Sequence, residues 1–300
     1  MRRVDAIVLG GLVGLAATAA CGARTELYTP PPVEIPPIPN APPGPGLSDC
    51  PDAGATLVYV VTEQQTLYSF DPPTGAFTSL GAFTCPTPGA AWAPFSMAVD
   101  HTGTAYVLFS NESESNAVGL LYRVDLATLA CVPLPYVGSQ GPFATFGMGF
   151  VGNADGLTDT LYIASYASSE LGTLDLSTFL VHDVGSSVSG AELSGTGDGR
   201  LFAFYAIDGG SSSAVGQLDP ATGALIANDD LSSLPQVVQN VGGWAFGFWG
   251  GEFYLFTTNP NDPGQSSILT RFNPADGSQT LVASLPDTVV GAGVSTCAPQ

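Results

Sequence analysis

The sequence predicts an all-β fold, a closed ring of five four-stranded sheets in which the end of the chain completes the first sheet. Three observations predict it. One unit recurs five times, its runs are β-branched and aromatic without helical periodicity, and the first unit lacks a strand that the C-terminal segment can supply.

The recurring unit is seen in "LYSFDPPTGAFT" (67–78), "LYRVDLATLACV" (121–132), "LGTLDLSTFLVH" (171–182), "VGQLDPATGALI" (215–226) and "LTRFNPADGSQT" (269–280). Each is an apolar run, an Asp or Asn, a short turn and a second run. Asp71, Asp125, Asp175, Asp219 and Asn273 head the turns at intervals of 54, 50, 44 and 54 residues, so the variation belongs to loops. An Asp or Asn in this place bonds backbone two residues on, and Gly75, Gly223 and Gly277 supply positive φ. These acids read as turn-formers, not catalysts.

Upstream of each unit lies another strand-like run: "LVYVVT" (57–62), "AYVLFS" (105–110), "LYIASY" (161–166), "LFAFYA" (201–206) and "FYLFTT" (253–258). Before four of them is a third: "FSMAVD" (95–100), "FGMGFV" (146–151), "SGAELS" (189–194) and "GWAFGF" (243–248). The first unit has no such partner, but "VVGAGVSTC" (289–297) has the missing character. Each unit thus has strands A to D. This arrangement resembles a β-propeller, here five-bladed and covering about residues 56–297, with no signature of a particular propeller family. The A strands are rich in glycine (Gly147, Gly149, Gly190, Gly247, Gly291, Gly293), as strands crowded around a narrow axis require.

Cys297 ends the closing A strand and Cys50 just precedes the first B strand, so a bridge between them would replace the covalent A-to-B connection of the other blades. Closing a loop of that length is worth up to about 5 kcal/mol in the chain-entropy model. Cys85 and Cys131 pair by elimination.

Arg2 and Arg3 precede fifteen uncharged residues, Ala6 to Ala20, which suits the apolar core of a secretory signal over residues 1–20. Thr18, Ala19, Ala20, Cys21 and Gly22 resemble the lipobox of bacterial lipoproteins. That resemblance implies a lipid on the Cys21 sulfur after cleavage, and Gly22 in place of aspartate implies the outer membrane of the cell envelope. The alternative is an ordinary signal peptide that leaves Cys21 an unpaired thiol. Residues 21–49 follow as a tether: with nine prolines between Arg24 and Ser48, it stays extended and reaches up to roughly 75 Å. Residues 50–300 form the propeller domain.

The formal net charge is −20, and only 11% of residues are charged. Beyond the leader the cations are Arg24, Arg123, Arg200 and Arg271, and there is no lysine. Phosphate backbones are repelled, which excludes nucleic acid as a partner, and Schiff-base chemistry on lysine is excluded too.

The B-to-C and D-to-A loops share one rim and include the long segments 84–94, 110–119, 206–215, 228–243 and 257–267. Candidate binding residues there are Trp92, Glu112, Glu114, Asn116, Asp208, Trp244, Asn259, Asn261 and Asp262; the alternative is solvated loops. Glu192 is the candidate channel residue, with Asp100 a doubtful partner at the channel mouth. Glycoside hydrolysis needs two carboxylates, and the sequence assigns one, so no catalytic residue is named. His101 and His182 fall on the opposite rim and on an outer strand, and Asn153, Asp155 and Asp159 are only partly like a calcium loop. No metal site and no cofactor is expected. Three functions remain: a lipid-anchored, non-enzymatic scaffold or binding module for a protein or glycan, a carbohydrate-active hydrolase or lyase, or a structural surface protein.

Overall fold

The computed structural model describes residues 50, 56–111, 118–138, 140–208, 212–231, 243–258 and 266–300. The leader, Cys21 and the tether lie outside the described residues.

Twenty strands form five antiparallel sheets of four. Blade I contains β1 (Val58–Thr62), β2 (Thr66–Asp71) and β3 (Ala76–Ala82), and its innermost strand is β20 (Val289–Val294). Blade II is β4 (Ala93–Val99), β5 (Ala105–Ser110), β6 (Gly119–Val124) and β7 (Cys131–Pro133). Blade III is β8 (Phe146–Gly152), β9 (Asp159–Ser165), β10 (Glu170–Leu174) and β11 (Val181–Ser186). Blade IV is β12 (Glu192–Gly195), β13 (Leu201–Ile207), β14 (Ser212–Leu218) and β15 (Leu225–Asp230). Blade V is β16 (Trp244–Trp249), β17 (Glu252–Thr258), β18 (Ser267–Asn273) and β19 (Ser278–Leu285). The inner strands meet in the cyclic order β20, β4, β8, β12, β16 and back to β20. The chain is a five-bladed β-propeller, and β20 closes it by pairing along the whole of β1.

The axis is narrow because its strands touch through backbone. A Cβ on Gly147 would lie 2.0 Å from the Ala191 carbonyl oxygen, and one on Gly291 would lie 2.7 Å from the Met97 nitrogen. Any side chain there would push two blades apart. The apolar cores sit between blades, one per junction. Between blades IV and V, for example, Phe202 stacks on Phe248 at 4.9 Å and Phe253 meets both edge-on.

The C-to-D turns obey one rule. In each, the backbone N–H four residues after the Asp or Asn donates back to its carbonyl, from Gly75, Leu129, Phe179, Gly223 and Gly277 at 2.7–2.9 Å. All five donors have positive φ, including Leu129 at 61° and Phe179 at 57°. Packing explains those two departures from glycine, since Leu129 lies against the blade I–II core and Phe179 against the blade II–III core. Asp175, which accepts from Ser177 and Thr178, is pulled down to about 2.

Both disulfides form. Cys50 joins Cys297 with Cα atoms 5.8 Å apart, and Cys85 joins Cys131 at 5.3 Å. The second pair meets because the chain leaving β3 lies along blade II. Phe83 packs edge-on against Phe109, and the Tyr122 hydroxyl donates to the Pro86 carbonyl at 2.6 Å. One expectation is corrected. Much of segment 206–215 is strand, since β13 runs to Ile207 and β14 resumes at Ser212 with ladder pairing up to that end. Ser212, Ser213 and Ala214 are therefore sheet positions.

Candidate functional site

A and C strands begin at one rim, here the upper, and B and D strands end there. The A-to-B and C-to-D turns form the lower rim.

Glu192 opens β12 at the upper end of the axis and is only 6% exposed. The Ser96 hydroxyl of β4 donates to its Oε2 at 2.7 Å, and the Met148 N–H of β8 donates to Ser96 Oγ at 3.2 Å. Three blades thus converge on one carboxyl. Burial pushes its pKa well above the usual carboxylate range, and the opposing effect of the Ser96 hydrogen bond is smaller. Asp100 lies at the far end of β4, where its Oδ1 accepts from Thr102 and Thr104 in the A-to-B turn. It forms a turn, and the pair needed for glycoside hydrolysis is not assembled from these two residues.

Also at the upper ends of their strands, three rings meet. Phe95, near the start of β4, packs edge-on against Tyr166 at 5.2 Å, and Tyr166 lies 6.0 Å from Trp244 at the start of β16. They come from blades II, III and V. Rings from blades III and V, which are not neighbours, touch only by reaching over the inner end of blade IV, next to the axis. Tyr166 remains 38% exposed, so the cluster presents an aromatic surface. Trp244 is a candidate from the sequence. Phe95 and Tyr166 are not, because an aromatic at a strand end reads as core.

The upper rim also holds buried side-chain polar atoms that find no hydrogen-bond partner among the described residues. Ser110 Oγ and Thr257 Oγ1 lie at ends of B strands, Glu170 Oε2 and Ser213 Oγ at starts of C strands, and Trp244 Nε1 at the start of an A strand. Gln65 Oε1 is in a B-to-C turn, and Ser187 Oγ follows a D strand. Every one of these places is upper. Buried polar groups are normally paired, so this concentration is a departure from the rest of the fold.

The lower rim is paired. Asp159 accepts from the His101 backbone N–H at 2.6 Å and from Thr296 Oγ1 at 2.9 Å, and its Oδ2 lies 2.8 Å from His101 Nδ1. Those contacts tie blades II and III to the C-terminal tail. Arg200 forms an ion pair with Asp198 and lies 4.9 Å over the Phe248 ring. All three described arginines are low: Arg123 and Arg271 near the ends of C strands, and Arg200 in an A-to-B turn.

The other candidates scatter. Trp92 packs partly buried against the blade I–II core, and Asp208 is exposed with φ of 52°. Glu112, Glu114, Asn116, Asn259, Asn261 and Asp262 lie outside the described residues. Asn153 and Asp155 hold a lower-rim hairpin, in which Asp155 accepts from Leu157 and Thr158, while Asp159 turns to His101. Among the described residues there is no group of three or more His, Cys, Asp or Glu arranged to hold a metal ion.

No protein-family model and no curated protein matches the chain. Solved structures similar to it are of low identity. A protein of unknown function from Bacteroides caccae is 11% identical, with a TM-score of 0.43, over 78% of this chain and 84% of that one. A chain of a nidogen/laminin complex is 8% identical, with a TM-score of 0.48, over 79% and 97%. An oligogalacturonate lyase in complex with manganese is 14% identical, with a TM-score of 0.35, over 76% and 61%.

Proposed function

We propose that this chain is a lipid-anchored propeller of the bacterial cell envelope, most simply of the outer membrane, that works as a non-enzymatic binding module for a glycan or protein through its upper rim. The observation that carries the reading is the concentration on that rim of exposed aromatic surface and of buried polar atoms unpaired among the described residues, opposite a lower rim where Asp159 is held by His101 and Thr296. We read that hydrogen-bonding capacity as open to a ligand.

The anchor supports the same polarity. Cys50, the first described residue, is fastened to Cys297 at the lower rim, so a tether running from a lipidated Cys21 holds that rim toward the bilayer. The upper rim then faces away from the membrane.

Two measurements test this. Cys21→Ser is expected to abolish labelling by a fatty-acid probe in the producing cell, and retained labelling contradicts the anchor. Retention of the full chain on isolated envelope fractions is expected to fall with Tyr166→Ala on the upper rim and to survive Leu157→Glu on the lower one. The reverse pattern contradicts the assignment of the rims.

The second reading is a carbohydrate-active hydrolase or lyase, favoured by Glu192, whose raised pKa suits a general acid. Turnover abolished by Glu192→Gln supports that reading over the first.

A further inference from the structure

Trp244 is the register partner of Thr257 on the β16–β17 ladder, so the two side chains share one face of blade V. Trp244 Nε1 and Thr257 Oγ1 are both buried and both without a hydrogen-bond partner among the described residues. Trp244 also belongs to the ring cluster with Tyr166 and Phe95. One place therefore offers an aromatic surface, an unpaired N–H donor and an unpaired hydroxyl.

We propose that this upper mouth of the axis is a subsite for a neutral saccharide. A pyranose ring lays its C–H face on Tyr166 and Trp244, and a small shift of the indole brings Nε1 to a sugar hydroxyl oxygen, with Thr257 Oγ1 exchanging a hydrogen bond beside it. The inference rests on the reading of the upper rim as the binding face.

Chemistry selects the ligand class. An indole N–H needs an acceptor, which a simple ammonium ion does not offer. An anion meets no described cation at this end, since Arg123, Arg200 and Arg271 all lie toward the lower rim, and the whole chain carries a net charge of −20. A purely apolar ligand would leave Nε1 and Oγ1 unpaired as they are and would gain nothing from them. A ring with one apolar face and a fringe of uncharged hydroxyls meets each demand.

The test offers the full chain an array of neutral oligosaccharides together with their uronic-acid and sulfated counterparts, and in parallel the proteins of the envelope fraction. Neutral sugars are expected to bind. Tyr166→Ala should weaken that binding about tenfold through lost ring contact. Trp244→Phe, which keeps a ring and removes the N–H, should weaken it about threefold or more and abolish the change in tryptophan emission on binding. Both variants should melt with the wild type; if Tyr166→Ala melts early, Trp244→Phe and its emission change decide. Failure to bind any neutral sugar, or binding that neither substitution weakens, overturns the subsite. If no sugar binds but Tyr166→Ala releases an envelope protein, the saccharide inference falls while the upper-rim reading stands; if neither variant alters any binding, both fall.

Discussion

At the lower rim Asp159, half-buried at the start of β9, is held by His101 and by Thr296 of the C-terminal tail. At the upper rim Thr257, buried near the end of β17, has a hydroxyl with no partner among the described residues. The two positions are opposite in use. Lower-rim polar groups join blades to each other and to the chain's end, where the Cys50–Cys297 bridge lies. At the upper rim Ser96 and Glu192 also join blades, but seven buried polar atoms find no partner among the described residues, and aromatic rings from three blades lie among them. A ring closed from one side can leave the other side free for recognition.

The comparison breaks most severely if closure is removed. Deleting residues 289–300 takes away β20, the inner strand of blade I, and with it the neighbour of β4 and β16. Loss of cooperative thermal unfolding is expected, and a truncated chain that melts like the full one contradicts the closure. Next come the bridges. In the chain-entropy model the Cys50–Cys297 bond, with a separation of 247 residues, is worth up to about 5 kcal/mol, and Cys85–Cys131, with 46, up to about 4. Cys297→Ser should therefore lower the denaturation midpoint more than Cys131→Ser, and the opposite order would place the dominant seam between blades I and II.

A smaller effect sharpens the account of the axis. Burial raises the Glu192 pKa, so the folded state holds its proton over a pH range in which the unfolded chain has lost it. The stability this group contributes is complete below the unfolded value, about 4.3, and declines as pH rises toward the folded one. Glu192→Gln keeps an acceptor for Ser96 and removes the charge. Melting profiles of variant and wild type should converge near pH 4 and separate toward pH 7, with the variant higher. A wild type that gains on the variant as pH rises contradicts the burial argument.

The blade plan was legible because its signals are local: five Asp or Asn turns and runs of strand-forming residues, counted along the chain. The closing strand was legible as a missing part. The Cys85–Cys131 contact was harder to see, since it depends on how the chain leaving β3 lies along blade II. Leu129 and Phe179 hide the turn rule, because packing into inter-blade cores holds them at positive φ where glycine is expected. Phe95 and Tyr166 could not be joined to Trp244 from sequence, because blades II, III and V meet only at the axis. Unpaired polar atoms carry no sequence signature at all, since a serine at a strand end reads the same whether or not it finds a partner.

The central claim is that the two rims use buried polar groups for different ends, and paired substitutions test it in one thermal melting experiment. Asp159→Ala leaves the His101 N–H and the Thr296 hydroxyl unsatisfied and should cost roughly 2–3 kcal/mol, while Thr257→Val replaces an unpaired hydroxyl by a methyl group and should gain about 1 kcal/mol. Shifts of opposite sign are the expected result. A Thr257→Val protein destabilised as much as Asp159→Ala would mean that the upper rim, too, holds the fold together.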